Sequence, residues 1–145
     1  PTDLVALARD AIADATAADP DRPLTLHAPD TLLATVDESR IRQVFANLLA
    51  NIRTHTPAGT PATIHLAPGI IEVTDEGPGM PAADAARAFE RFHRAEHGTS
   101  GTGLGLPIVA AIAAAHGGRA ELLSAPSRGT TVRITLPHSV NSVQN

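Results

Sequence analysis

Three stretches of this chain carry residue types suited to holding a charged ligand. Gln43, Asn47, Asn51 and Thr54 recur every three or four residues, so in a helix they share one face, opposite an apolar stripe led by Phe45 and Leu48. The carboxamides of Asn47 and Asn51 would then lie one turn apart. Carboxamide oxygens are hard, neutral ligands suited to Mg²⁺, which takes one or two protein oxygens and fills its shell with water and substrate phosphates. A solvated helix face would show the same spacing. The second stretch, Asp75-Glu76-Gly77-Pro78-Gly79, directly follows a strand pattern. Glycines there let a planar ligand approach the backbone, and a strand-end carboxylate can accept hydrogen bonds from an exocyclic amine such as that of adenine. An ordinary Asp-Gly turn is the alternative. The third stretch is Gly101, Thr102, Gly103, Leu104, Gly105 and Leu106, ahead of a helix that begins near Pro107. Glycine-rich backbone entering a helix N-terminus offers free N–H groups and the positive dipole end to phosphate oxygens. The spacing is not Gly-x-Gly-x-x-Gly and no Gly-Lys-Ser/Thr follows, which disfavours a dinucleotide fold or a Walker-type loop.

The elements that must position these residues follow from hydrophobic periodicity. Residues 3–17 place Leu4, Val5, Ala8, Ala11, Ile12 and Ala15 at helical spacing with Thr2 or Asp3 as cap. Leu24–Leu26 and Leu32–Val36 read as two short strands around the turn Ala28-Pro29-Asp30. The strongest helix opens at the cap Asp37, buries Ile41, Val44, Phe45, Leu48 and Ile52, and runs to about Thr54. Ala62–Leu66 and Ile70–Thr74 alternate around Ala67-Pro68-Gly69, the pattern of a hairpin. Residues 82–92 read as helix, and His93–Gly101 lacks periodicity, as a mobile loop would. Gly103–His116 forms an apolar helix stopped by Gly117-Gly118, with His116 placed where a partly positive imidazole is favoured. Arg119–Leu123 and Thr130–Leu136 alternate as the last two strands, followed by a polar, frayed tail. Strands interleaved with three helices predict a two-layer α/β sandwich, its mixed, mostly antiparallel sheet covered on one face by the helices.

At 145 residues the chain suits one domain, ordered over about 1–136. Its net charge of -4, from 11 basic and 15 acidic residues, gives no broad cationic field for nucleic acid or lipid. It contains no cysteine, hence neither disulfides nor thiolate metal sites, and the expected compartment is the cytoplasm. No apolar run approaches the roughly 20 residues of a membrane span, although a membrane segment could lie upstream. His27, His65, His93, His97 and His138 show no joint metal spacing. Glu90, Arg91, Arg94 and Glu96 form a solvated cluster in which Arg94 is the candidate for a phosphate contact.

In series, Asn47-Leu-Leu-Ala-Asn51, Asp75-Glu-Gly-Pro-Gly79, Phe89-Glu-Arg-Phe92, Gly101-Thr-Gly-Leu-Gly105-Leu and Gly129-Thr130-Thr131 resemble the N, first glycine, F, second glycine and last boxes of one family. It is the ATPase domain shared by histidine kinases, gyrase, Hsp90 and MutL. The F box and the Gly-Thr-Gly-Leu-Gly-Leu phrase resemble the histidine kinase branch, and the boxes span about Asp37 to Leu136. The resemblance implies a Bergerat-type sandwich with ATP under a lid at residues 93–101. It implies that Asn51 is the magnesium ligand, with Asn47 beside the phosphates as its catalytic companion. Asp75 is matched to the adenine-recognising carboxylate, Gly77 and Gly79 to the glycines flanking the base, Gly101–Leu106 to the backbone closing on the phosphates, and Thr130 to support of the adenine end.

Where the family reads Asn-Ala-x-Lys/Arg-Tyr/Phe, this chain reads Asn51-Ile52-Arg53-Thr54-His55. Arg53 is the nearest substitute for the missing cation, although one residue is about 100° around a helix. His55 could stack on the base or ribose in place of the aromatic, or be a surface histidine. The implied reaction is transfer of the ATP γ-phosphoryl to a histidine on a separate dimerising hairpin of the parent kinase, then to a response regulator. None of the chain's own histidines stands in a phosphoacceptor setting. The parent would be cytoplasmic or anchored in the cell membrane, and this domain would touch neither membrane nor nucleic acid. A serine kinase of the anti-sigma type on the same fold, and a degenerate nucleotide-binding module, stay open.

Overall fold

The computed structural model describes residues 1–81, 83–84 and 105–137. The expected helix over 82–92 (save 83–84), the F box, the lid, Arg94, Gly101–Leu104 and the tail beyond 137 lie outside the described residues. The order is β1 (Thr2–Asp3), α1 (Leu4–Ala18), β2 (Leu24–His27), β3 (Leu33–Ala34), α2 (Glu38–His55), β4 (Ala62–Ala67), β5 (Ile70–Asp75), α3 (Gly105–Ala115), β6 (Arg119–Ser124) and β7 (Thr130–Thr135).

Helix starts are set by carboxylates. Asp3 Oδ1 accepts from Val5 N–H at 3.0 Å, which caps α1, and also from Leu32 N–H at 3.0 Å, which fastens the later segment to it. Asp37 does the same for α2 through Arg40 N–H at 3.3 Å. Pro107 falls in the first turn of α3, where its missing N–H would have had no partner. Gly117, at φ +80, takes the left-handed conformation that ends α3. His116 bridges the two helices: its Nε2 accepts from Asp37 N–H at 3.1 Å while Nδ1 lies 2.9 Å from Ile112 O. Through these two contacts the residue that ends α3 also ties it to the start of α2.

Five strands form one sheet in the order β2-β4-β5-β7-β6. β2 runs parallel to β4, and the remaining pairs are antiparallel. The expected turn around Ala28-Pro29-Asp30 does not make a hairpin. β3 pairs instead with β1, and β2 finds its partner across the α2 crossover, as a parallel pair requires. Strand alternation divides the sheet. Ala62, Ile64 and Leu66 of β4, Ile71 and Val73 of β5, and Val132 and Ile134 of β7 point into the core. There they meet Leu4, Val5, Leu7 and Ala8 of α1, the α2 stripe centred on the fully buried Phe45, and Leu106, Val109, Ile112 and Ala113 of α3. α2 packs against both α1 and α3. The opposite face is polar: Glu72 pairs with Arg133, Thr74 with Thr131, and the rings of His27 and His65 stack at 5.0 Å. Among the described residues no helix is long and apolar enough to cross a membrane.

Candidate functional site

Asp75 stands where the inward alternation of β5 would place another apolar residue, in register with Ala62 of β4 and Thr130 of β7. It is 8% exposed. Burial pushes its carboxyl above the ordinary carboxylate range, and four influences oppose that: the N–H groups of Gly77 and Thr130, the charge of Arg22, and His55. The Gly77 N–H donates to Oδ1 at 2.8 Å. A side chain at Gly77 would destroy this arrangement, since its Cβ would lie 2.7 Å from Thr56 Cγ2 and 2.8 Å from Asp75 Oδ1. With one N–H on Oδ1, the carboxylate keeps acceptor positions for a ligand amine.

The loop after Asp75 is locked to the turn between β6 and β7. Ser127, itself at φ 64, donates its N–H to Pro78 O at 2.6 Å. Met80 N–H donates to Ser124 Oγ at 3.0 Å, and Ser124 Oγ donates to Gly129 O at 2.9 Å. Ser124 has only one proton, so the 2.8 Å bond to Thr130 Oγ1 takes its proton from Thr130. Gly79, at φ +71, leaves no room for a side chain because a Cβ would overlap Ala125 O. Packing against this turn is sufficient reason for glycine at 79.

Asn47 and Asn51 are half-buried on the side of α2 away from α1. The Asn47 Nδ2 is buried with no hydrogen-bond partner among the described residues; an orphaned donor costs about 1–3 kcal/mol. His55 ends α2; burial lowers its pKa, although the Asp75 carboxylate pulls the other way. Arg53 is not on this face. It lines the groove between α1 and α2 with Leu7, Ala11, Arg42 and Leu49, because two residues are about 200° around the helix from Asn51. That position turns it away from the place of the cation expected at Thr54, which is exposed. Gly105 opens α3 with clear space where a Cβ would be. Leu106 places its side chain in the core, which leaves only its backbone for a ligand. Sequence reasoning missed Arg22, Thr56, Ser124 and Ser127, whose roles arise from long-range contacts. A visible signal existed only for Ser124, opposite Thr130 in the final strand pair.

Residues 36–140 match the family described as histidine kinase-, DNA gyrase B- and HSP90-like ATPases. The chain belongs to that family. Among curated relatives of this ATPase domain, it is 41% identical over 146 residues to a probable sensor histidine kinase, TcrY, of Mycobacterium tuberculosis, covering 94% of this chain and 30% of that one. It is 37% identical over 118 residues to the sensor histidine kinase component HK1 of the same organism, covering 79% of this chain and 70% of that one. Among solved structures, the mycobacterial sensor histidine kinase MprB superposes with a TM-score of 0.83 at 26% identity, over 94% of this chain and 97% of that one. The ATP-binding domain of PrrB from Mycobacterium tuberculosis gives 0.75 at 27%, over 95% and 96%. Among the described residues, three helices on a mixed five-stranded sheet reproduce the architecture of histidine kinase catalytic domains.

Because the folded-state pKa of Asp75 is raised, the protonated carboxyl favours the fold. That contribution is complete below the ordinary carboxylate pKa and is lost as pH rises through the folded value. Asp75→Asn keeps an oxygen for the Gly77 N–H and carries no charge. Relative to this variant, the wild-type Tm should fall as pH is raised from about 4 towards about 7. Paired thermal scans measure the difference; one that does not vary with pH contradicts the buried-charge account.

Proposed function

We propose that this chain is a single ATP-binding catalytic domain that binds Mg-ATP and transfers the γ-phosphoryl to a histidine on a dimerising hairpin outside the chain. A response-regulator aspartate would then receive the phosphoryl group. The buried Asp75 carboxylate, held by Gly77 at the end of β5, is the observation that carries the reading. It presents acceptors inside a wall of backbone, the arrangement that recognises an exocyclic amine and refuses a carbonyl at the same place. The named sensor kinases among the relatives favour this reading over a serine kinase of the same fold.

Each part of the site has a task in that reaction. Asp75 orients the base; Gly77 and Gly79 allow the chain to pass close to it, and Thr130 keeps an acceptor at the same end. His55 flanks the base or ribose. The orphaned Asn47 Nδ2 is a donor suited to a phosphate oxygen. Asn51 offers one carboxamide oxygen, and among the described residues no cluster of three or more His, Asp or Glu could hold a metal ion. A single carboxamide oxygen suits magnesium, which retains waters and phosphates around one or two protein oxygens. Magnesium bound there would neutralise the phosphate charges. Gly105 and Leu106 give backbone at the positive end of α3; Gly101, Thr102, Gly103 and Leu104, outside the described residues, are proposed for the same task from the sequence. In the transfer the imidazole nitrogen forms a bond to the γ-phosphorus as the bond to the β–γ bridging oxygen breaks, leaving ADP. Positioning and charge stabilisation supply the catalysis, and the base belongs to the acceptor segment. The domain would act in the cytoplasm, with any membrane anchor elsewhere in the parent, and without contact to nucleic acid.

Calorimetry tests the nucleotide assignment. Losing a charge-assisted bond worth about 1.5–3 kcal/mol, Asp75→Asn should weaken ATP binding roughly ten- to over a hundredfold, and Asn51→Ala should remove the magnesium dependence of ATP binding while sparing metal-free ADP binding. Wild-type ATP affinity in the first variant, or equal shifts with and without magnesium in the second, would remove the respective role. For the transfer, the chain incubated with radiolabelled ATP and magnesium should gain no acid-labile phosphate itself, yet label its own histidine-bearing hairpin when that is supplied. Thr54→Lys should raise the rate by restoring a cation near the phosphates. Labelling of the chain alone would contradict the proposal; labelling of neither would favour a non-catalytic nucleotide module.

A further inference from the structure

Arginine is almost never fully buried unless paired, and Arg22 is only 6% exposed. Its carboxylate partner is Asp19, the residue that ends α1, at 2.8 Å from Nε. The rest of the guanidinium faces the link between α2 and β4. Nη1 donates to Thr56 Oγ1 at 2.8 Å and to Thr60 O at 2.7 Å, and Nη2 reaches Pro57 O at 3.5 Å. Neighbouring backbone closes the same junction: Ala62 N–H donates to Pro23 O at 3.0 Å, and Glu76 N–H to Pro61 O at 3.1 Å. The exit of α1 and the exit of α2 therefore meet on Arg22, and the end of β5 is tied to the same link through Pro61.

Thr56 carries this outward to the nucleotide site. Its hydroxyl accepts from Arg22 and donates to Ile52 O at 2.6 Å. That fixes its γ-methyl in the space a Gly77 side chain would need. Gly77 in turn donates its N–H to Asp75 Oδ1. We propose that Arg22 is a positioning residue for base recognition, acting through Thr56 and Gly77 to fix where the Asp75 carboxylate meets the nucleotide. The inference rests on the reading of Asp75 given above. Arg22 touches no ligand in this scheme. Its charge also acts on Asp75, favouring the ionised form, and the other titratable group that does so is His55 at the end of α2.

A purely structural clamp would affect stability alone, so the test reads affinity against pH. ATP is titrated calorimetrically into wild type, Arg22→Met, Arg22→Lys and Asp75→Asn from about pH 5 to about pH 8, below each variant's unfolding temperature. Affinities are expressed relative to Asp75→Asn, which shares the phosphate titration of ATP. Arg22→Met should bind about tenfold more weakly at neutral pH, and its acid loss of affinity should begin at higher pH than in wild type. Arg22→Lys, which keeps the charge with fewer donors, should restore the position of the acid limb and only part of the affinity. Folded Arg22→Met with wild-type affinity and an unmoved acid limb would overturn the inference. If Arg22→Met does not fold, Thr56→Ser keeps the hydroxyl for Arg22 and removes the methyl beside Gly77. Weaker ATP binding in that variant supports the proposal and wild-type binding overturns it. Should Asp75→Asn itself bind ATP like wild type, the base-recognition reading falls and this inference with it; a weakened Asp75→Asn beside an unaffected Arg22→Met defeats the inference alone.

Discussion

A carboxylate buried where a strand pattern calls for an apolar side chain is the constraint around which this molecule is arranged. Ile71, Val73 and Asp75 lie on the same inward face of β5, and only the last is charged. Removing that charge from water is costly unless donors and opposite charge replace the hydration shell. Gly77 supplies an N–H from two residues away, Thr130 another from the adjacent strand, and Arg22 a nearby positive charge. The compensation is incomplete, since the Asp75 pKa remains raised. An acceptor in such a place gains most when a matching donor arrives, which links the unfavourable resting state to recognition.

The glycines divide according to the same constraint. Gly77 is required by the Thr56 methyl and the Asp75 oxygen, and Gly129, at φ +71, by the Asp75 carbonyl, against which any Cβ would collide. Gly79 answers to the carbonyl of Ala125. Gly105 is different: the fold would admit a side chain there, so its glycine has no packing reason among the described residues. With the Asn47 Nδ2, which has no hydrogen-bond partner among the described residues, Gly105 is a position whose residue type packing does not account for.

Most of this architecture was legible in the sequence, because it is written in local periodicity. The Asp37 cap, the buried stripe of α2, the hairpin around Gly69 and the strand-end position of Asp75 all follow from residues within a few turns of one another. What escaped depends on distant partners. Leu24–His27 and Leu33–Ala34 show strand character but nothing that says they avoid each other; β2 pairs in parallel across an intervening helix, and β3 with the two residues of β1. Arg22 sits in the Asp- and Pro-rich stretch between α1 and β2, and only tertiary structure places Thr56 and Thr60 against it. Arg53 was the nearest cation in sequence, yet the helical turn directs it into the α1–α2 groove. His116 stands at the end of α3 as its place before Gly117-Gly118 implied, but its link to the Asp37 N–H is a long-range contact that local pattern does not show.

We propose that the base lies against Asp75 and Gly77, with the phosphates along α2 past Asn51 and Asn47. The direct measurement is an amide NMR titration of the intact chain with Mg-ATP. The account predicts large shifts for Asp75, Gly77, Thr130, Asn51 and Gly105, with His65, Glu72 and Arg133 on the polar face of the sheet unmoved. Shifts centred on the α1–α2 groove at Leu7, Ala11 and Arg53, with Gly77 and Thr130 unchanged, would contradict it.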